Sequence, residues 1–192
     1  MSEQDLPVFL HVGCGPKRQG QTPFAGKSWR ELRLDIDASV EPDVVGTMTE
    51  MADVADGSVD AIFSSHNIEH LYPHEVPLAL QEFRRVLKPD GFVLLTCPDL
   101  QSVCQLVAEN KLTDPAYQSG MGPITPLDIL YGHQVSMQQG NLFMAHRCGF
   151  TTKALAAAFQ AGGFGTAVNA RPQHFDLWAL GAINQSKEGM VR

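Results

Sequence analysis

The chain has 192 residues and a mass of 21.0 kDa, the size of one domain with enough core to fold alone. Hydrophobic residues are 44% and charged residues 18%, with Gly 17 and Pro 12, which excludes collagen-like, low-complexity and wholly disordered chains. Lys+Arg 14 against Asp+Glu 21 gives −7, a balance that repels a phosphate backbone unless basic residues cluster on one face; only Lys17-Arg18 and Arg84-Arg85 do, so no nucleic-acid partner is expected.

The first apolar run, Val8 to Val12, lacks the basic flank and long apolar core of a signal peptide, and no stretch approaches the ~20 apolar residues of a membrane span. Four cysteines, Cys14, Cys97, Cys104 and Cys148, form no CxxC pair and read as reduced thiols in a cytoplasmic protein. Val8 to Val12 running into Gly13-Cys14-Gly15 is the pattern of a buried strand entering a glycine turn. Pro16 to Trp29 carries two prolines and two glycines and predicts a loop where a helix normally follows such a turn.

Leu32 to Ile36 reads as a second strand and Asp43 to Gly46 as a short third. Only Asp37 to Pro42 separates them, against the dozen residues of a usual parallel crossover, so this half of the sheet is abbreviated. Val59 to Ser65 is a fourth strand, entered through Asp56-Gly57-Ser58. Val76, Leu80, Phe83 and Leu87 recur at helical spacing, and Pro89-Asp90-Gly91 ends that helix. Phe92 to Cys97 is a strand buried on both faces, and Asp99 caps a helix bearing Leu100, Val103 and Val107.

From about Ala108 to Arg147 the periodicity fades under repeated Pro and Gly, while Ile124, Leu127, Ile129, Leu130, Leu142 and Phe143 supply apolar surface. This predicts a folded cap. Thr151 caps an Ala-rich helix ending at Gly162-Gly163, Thr166 to Ala170 and Phe175 to Ile183 are two last strands, and Ser186 to Arg192 is expected to fray. The alternation of strands and helices predicts a three-layer α/β domain with a mainly parallel sheet, whose ligands bind beyond the carboxyl ends of the strands.

At those ends the glycine turn and Asp35, roughly 20 residues on, fit a ribose-bearing cofactor. Pro16-Lys17-Arg18-Gln19-Gly20 does not resemble the third glycine and helix N-terminus that hold a pyrophosphate, so a cofactor without phosphates fits better than NAD. His66-Asn67-Ile68-Glu69-His70 matches H-x-x-E-H, in which two histidines on a helix bind zinc beside a catalytic glutamate. The strand leading into His66 and the nearby Pro73 argue against that helix, and no resident metal is expected; a zinc hydrolase is the reading this sets aside. Tyr131, His133 and His146 lie in or beside the cap and are candidates for contact with a substrate.

VFLHVGCGP at 8–16, LRLDID at 32–37, DGSVDAIFSSHNIEHL at 56–71, EFRRVLKPDGFVLLTCPDL at 82–100 and HRCGFTTKALAAAFQAGGF at 146–164 resemble the class I S-adenosylmethionine-dependent methyltransferases, in particular the small type 11 group. The resemblance implies a single Rossmann-like methyltransferase domain over 1–192, with a cap insertion at about 108–147. It implies a seven-stranded, mainly parallel sheet whose last strand is antiparallel. S-adenosyl-L-methionine is the cofactor it implies, with Gly13, Cys14 and Gly15 at its methionine part and Asp35 at the ribose. Ile36 would then face the adenine, Thr47 and Met48 its edge, and Ser65 and His66 the sulfonium. Three positions depart from the pattern: His11 and Thr47 stand where relatives carry acidic residues, and a loop replaces the first helix. The activity implied is methyl transfer to a small or conjugated acceptor under the cap; the alternative is a non-catalytic S-adenosylmethionine-binding or scaffold domain. No single residue stands out as a catalytic base.

Overall fold

The computed structural model describes residues 5–183. The stretch Ser186 to Arg192, expected to fray, lies outside the described residues. Seven strands form the main sheet: β1 (Val8–Val12), β2 (Arg30–Asp35), β3 (Val44–Val45), β4 (Val59–Ser65), β5 (Leu87–Pro98), β8 (Phe164–Arg171) and β9 (Asp176–Ile183). Their order is β3-β2-β1-β4-β5-β9-β8; β3 to β5 pair in parallel, and β9 runs antiparallel to both its neighbours. Seven strands, mainly parallel with the last antiparallel, agree with what the family resemblance implies, and the short link between β2 and β3 with the abbreviated half.

The helix α1 (Val76–Val86) ends before Leu87, which the periodicity assigned to it, because strand pairing with Val59 begins at Leu87; Pro89-Asp90-Gly91 therefore lies within β5, where the register is irregular before Phe92. Glycine is required there, because a Cβ on Gly91 would press on the backbone carbonyls of Asp60 and Lys88. α2 (Leu100–Ala108) is capped by the Asp99 carboxylate accepting the Gln101 N–H, and α5 (Thr152–Ala161) by the Thr151 hydroxyl accepting the Ala154 N–H.

Alternation along β1 divides the core between the two faces of the sheet. Leu10 and Val12 join Leu80 and Phe83 of α1 and Leu155 and Phe159 of α5, all fully or almost fully buried. Each such side chain contributes about 1.5–3 kcal/mol of transfer free energy. On the opposite face Phe9 meets Phe24, Ala61 and Phe63, with Trp29, Phe92 and Leu94 at the margin. That layer is furnished by the 13–29 loop, whose only regular piece is a 3-10 turn at Gln19–Gln21. Phe24 stacks on Phe9 at 4.2 Å between ring centroids, filling the place of a helix with two aromatic side chains.

The 108–147 segment contains short pieces alone, as its prolines and glycines dictate. A hairpin, β6 (Tyr117–Ser119) with β7 (Gly122–Ile124), precedes α3 (Pro126–Tyr131) and α4 (Gln134–Gln138), and a 3-10 turn at Leu142–Met144 follows. Tyr117 stacks on Phe175, whose neighbour Asp176 pairs with Pro98 at the end of β5. The segment thereby reaches the carboxyl end of the sheet. All four cysteines are free thiols, Cys14 and Cys97 buried. Among the described residues no helix is long and apolar enough to cross a membrane.

Candidate functional site at the carboxyl ends of the strands

Register places Val12 between Leu34 and Ser64, so the chain leaves β1, β2 and β4 side by side where the strand order reverses. Open α/β sheets bind their ligands in a crevice at such a point. Gly13-Cys14-Gly15, Asp35-Ile36 and Ser65-His66 emerge at it, and Gly46, whose N–H donates to the Asp35 carbonyl at 2.9 Å, carries Thr47 and Met48 alongside.

Gly13 and Gly15 both hold positive φ, 63° and 51°. Around Gly15 a Cβ would meet nothing, so its surface is open to a ligand; at Gly13 a Cβ would overlap the Asn67 carboxamide. Asn67 Nδ2 donates to the carbonyls of Ser65 (2.9 Å), Val12 (3.2 Å) and Gly13 (3.3 Å), stitching the ends of β1 and β4 together. Cys14 is buried, and burial pushes its thiol up to about 11; it therefore offers the crevice backbone and no thiolate. Asp35 Oδ2 accepts the Gly15 N–H at 2.7 Å and Oδ1 the Asp37 N–H at 2.9 Å, so each oxygen keeps capacity for a further donor. Ile36 beside it is 47% exposed, an apolar side chain presented to solvent at a ligand edge. Buried Arg33 donates to the carbonyls of Gly15 (2.5 Å) and Glu41 (2.6 Å), fixing the glycine turn against the loop after β2. Thr47 and Met48 are half-buried, and the Thr47 and Thr49 hydroxyls share a hydrogen bond of 2.8 Å.

His11 turns away from the crevice. Its ring is buried beside Phe63, and Nδ1 lies 2.7 Å from Glu31 Oε1; burial lowers its pKa against the opposing pull of that carboxylate. The departure at this position is thus absorbed by packing.

Beyond Ser65, His66 adopts φ 56° and its N–H bonds the Thr96 carbonyl, so it belongs to the strand end and a 3-10 turn, Ile68–His70, follows it. The single helix that H-x-x-E-H needs for two zinc-binding histidines is not formed. His66 keeps a 47% exposed side chain with Nδ1 3.4 Å from Glu69 Oε1. Burial would lower the His66 imidazole, but Glu69 outweighs it and the net direction is upward. Glu69 is buried, which would raise its carboxyl; His66, His70 and His146 together hold it down. Neither of its carboxylate oxygens has a hydrogen-bond partner.

The end of the 108–147 segment is tied to the same turn. The N–H groups of Arg147 and Cys148 donate to the Glu69 carbonyl, the Arg147 guanidinium donates to the His70 carbonyl at 2.8 Å, and His70 Nδ1 lies 3.1 Å from the Ala145 carbonyl. His146 is anchored by its N–H on the Tyr131 carbonyl and by Nδ1 2.9 Å from the Ile129 carbonyl. Its ring meets that of His70 with centroids 4.9 Å apart. Of the three cap residues singled out from the sequence, His146 alone is brought to this cluster. The Tyr131 side chain is 60% exposed and the residue contributes its carbonyl, while His133 Nδ1 bonds the Ser136 hydroxyl at 2.7 Å. Glu69 and His70 stood in the sequence within the H-x-x-E-H pattern and the family-like stretch at 56–71, and Asn67 and Arg33 lay in the quoted stretches with no role read for them, because those two act by answering backbone carbonyls of distant segments.

A family model described as a methyltransferase domain matches residues 10–95. No curated protein matches the sequence. Among solved structures, the PH0226 protein of Pyrococcus horikoshii is similar at 15% identity and TM-score 0.64, over 94% of this chain and 83% of that one. A SAM-dependent methyltransferase of Archaeoglobus fulgidus is similar at 13% identity and TM-score 0.60, over 93% and 86%. The 1,6-didemethyltoxoflavin-N1-methyltransferase of Burkholderia thailandensis, solved with 1,6-didemethyltoxoflavin and S-adenosylhomocysteine, is similar at 17% identity and TM-score 0.58, over 95% and 73%.

Proposed function

We infer, from a chain whose residues 10–95 carry a methyltransferase domain and whose sheet is that of the class I S-adenosylmethionine-dependent methyltransferases, that it transfers the methyl group of S-adenosyl-L-methionine to a small or conjugated acceptor. The observation that carries this reading is the convergence of open Gly15, Asp35, exposed Ile36 and His66 where the strand order reverses. When bound, the cofactor would supply an electrophilic methyl carbon for a nucleophilic atom of the acceptor, sulfur leaving with the carbon–sulfur electron pair and any acceptor proton passing to water.

The chain's own residues bind and align. The free lone pairs of the Asp35 carboxylate accept ribose hydroxyls, and Ile36 gives the adenine an apolar surface, with Thr47 and Met48 at its edge. The Gly13–Gly15 turn admits the methionine part, and Ser65 and His66 border the sulfonium. The 108–147 segment covers the acceptor, excluding water and holding the nucleophile in line, which can supply most of the rate without a dedicated base. The small acceptor bound to the Burkholderia enzyme supports an acceptor of that size. A non-catalytic S-adenosylmethionine-binding domain would share the site and differ in turnover alone, so mass-spectrometric detection of a methylated product separates the two.

S-adenosylhomocysteine should raise the melting temperature, since a ligand at about 100 times its Kd adds about 2.7 kcal/mol to stability. Asp35→Ala should weaken its binding roughly 10- to 100-fold in calorimetry, the equivalent of one or two hydrogen bonds to a charged group. Wild-type affinity in a folded Asp35→Ala protein would remove Asp35 from the ribose, and no thermal shift in the wild type would refute the cofactor assignment.

A further inference from the structure

We propose that Glu69, His70 and His146 form a binding site for one divalent first-row transition-metal ion. The three offer ligand atoms that all lie within 4.8 Å of one another, drawn from two segments that the fold alone brings together. Metal–ligand distances of about 2.0–2.2 Å are reached from there by side-chain shifts of about an ångström.

The tautomers are already those of metal ligands. A carbonyl oxygen only accepts, so the Nδ1 atoms facing the Ala145 and Ile129 carbonyls carry the protons of both rings. In the neutral form a ligand needs, each ring then keeps a lone pair on Nε2, the arrangement by which backbone carbonyls orient metal-bound histidines. Such rings have no proton to give Glu69, and its two buried oxygens are indeed unpartnered. The His66 imidazole 3.4 Å from Oε1 compensates this buried carboxylate only in part, and a divalent cation would offset the rest directly. Two imidazoles and one carboxylate select zinc, iron, cobalt or nickel over magnesium or calcium, and three protein ligands leave a coordination position open.

His66 is not among the ligands, so this is a different set from the two histidines of H-x-x-E-H, and the proposal departs from the expectation of no resident metal. The ion would cross-link the end of the cap to the turn after β4. The inference stands independently of methyl transfer, because its readouts are binding and order.

The test uses the untagged full chain, stripped with chelator and titrated with Co²⁺ followed by visible absorption, with Zn²⁺ as competitor. One Co²⁺ per chain is expected, displaced by Zn²⁺, with Zn²⁺ also increasing hydrogen-exchange protection around His146. Losing an outer-shell partner already costs roughly 10–100-fold in affinity, so His70→Ala and His146→Ala should each lose more than about 100-fold, whereas His174→Ala, at an exposed histidine outside the cluster, keeps the wild-type value. Should an alanine variant fail to fold, Glu69→Gln, which keeps the side-chain volume, is expected to show the same loss. Absence of stoichiometric Co²⁺ binding, wild-type affinity in His146→Ala or Glu69→Gln, or loss in His174→Ala would each overturn the assignment.

Discussion

Alanine at Gly132 should release the cap from the strand ends while leaving the sheet intact. Gly132 ends α3 with φ 98° and ψ 159°, a region that only glycine populates without strain. A Cβ there would run into the Met144 carbonyl and against the Ala145 backbone, the stretch leading into His146. Backbone strain of about 1–3 kcal/mol adds to the loss of the His146 N–H to Tyr131 carbonyl bond, worth about 1 kcal/mol net. The expected cost is about 3 kcal/mol, a rise of roughly 150-fold in the population of opened cap. Hydrogen exchange read by mass spectrometry reports this locally: peptides covering 126–146 should lose protection by that factor, and peptides from β1, β4 and β5 should not change. Unaltered protection over 126–146, or a wild type in which that segment is already unprotected, would refute the account of a cap packed through Gly132.

Phe24→Ala should destabilise the protein by about 3–5 kcal/mol in chemical denaturation, a core-sized effect from a loop residue, because Phe24 stacks on Phe9 where no helix covers the sheet; a loss under about 1 kcal/mol would show that the 13–29 loop is not a structural layer. His11 makes stability depend on pH. Burial holds its folded pKa below the ordinary 6.5, so the unfolded chain binds more protons in the interval between the two values. Its contribution is complete above pH 6.5 and is lost as pH falls through the folded value. His11→Gln, which still hydrogen-bonds Glu31 and does not titrate, should melt with a flatter dependence on pH below 6.5 than the wild type; equal slopes would refute the assignment.

The sequence alone determined the strands, the helix caps and the punctuation of the cap segment, because these depend on neighbours in the chain. Val8 to Val12 and Val59 to Ser65 are apolar runs bounded by turn residues, and they became strands over those same residues. Asp99 and Thr151 cap the helices they were expected to cap, since an N-cap answers N–H groups two or three residues away. The antiparallel last strand was implied by the family resemblance, whereas the order of the strands came from the folded sheet, as local periodicity says nothing of which strands adjoin. Register, once the strands pair, lines up Gly15, Asp35 and His66, because a one-residue slip would turn each buried face to water. What only the tertiary structure decided is which groups meet across long sequence separations. Asn67 closes over Gly13, Arg33 collects the carbonyls of two loops, and His146 joins Glu69 and His70 while the Tyr131 side chain turns outward. Each of these pairings answers a backbone carbonyl or a buried charge left unmet by its own segment, and that demand exists only after the chain has folded and water has been withdrawn.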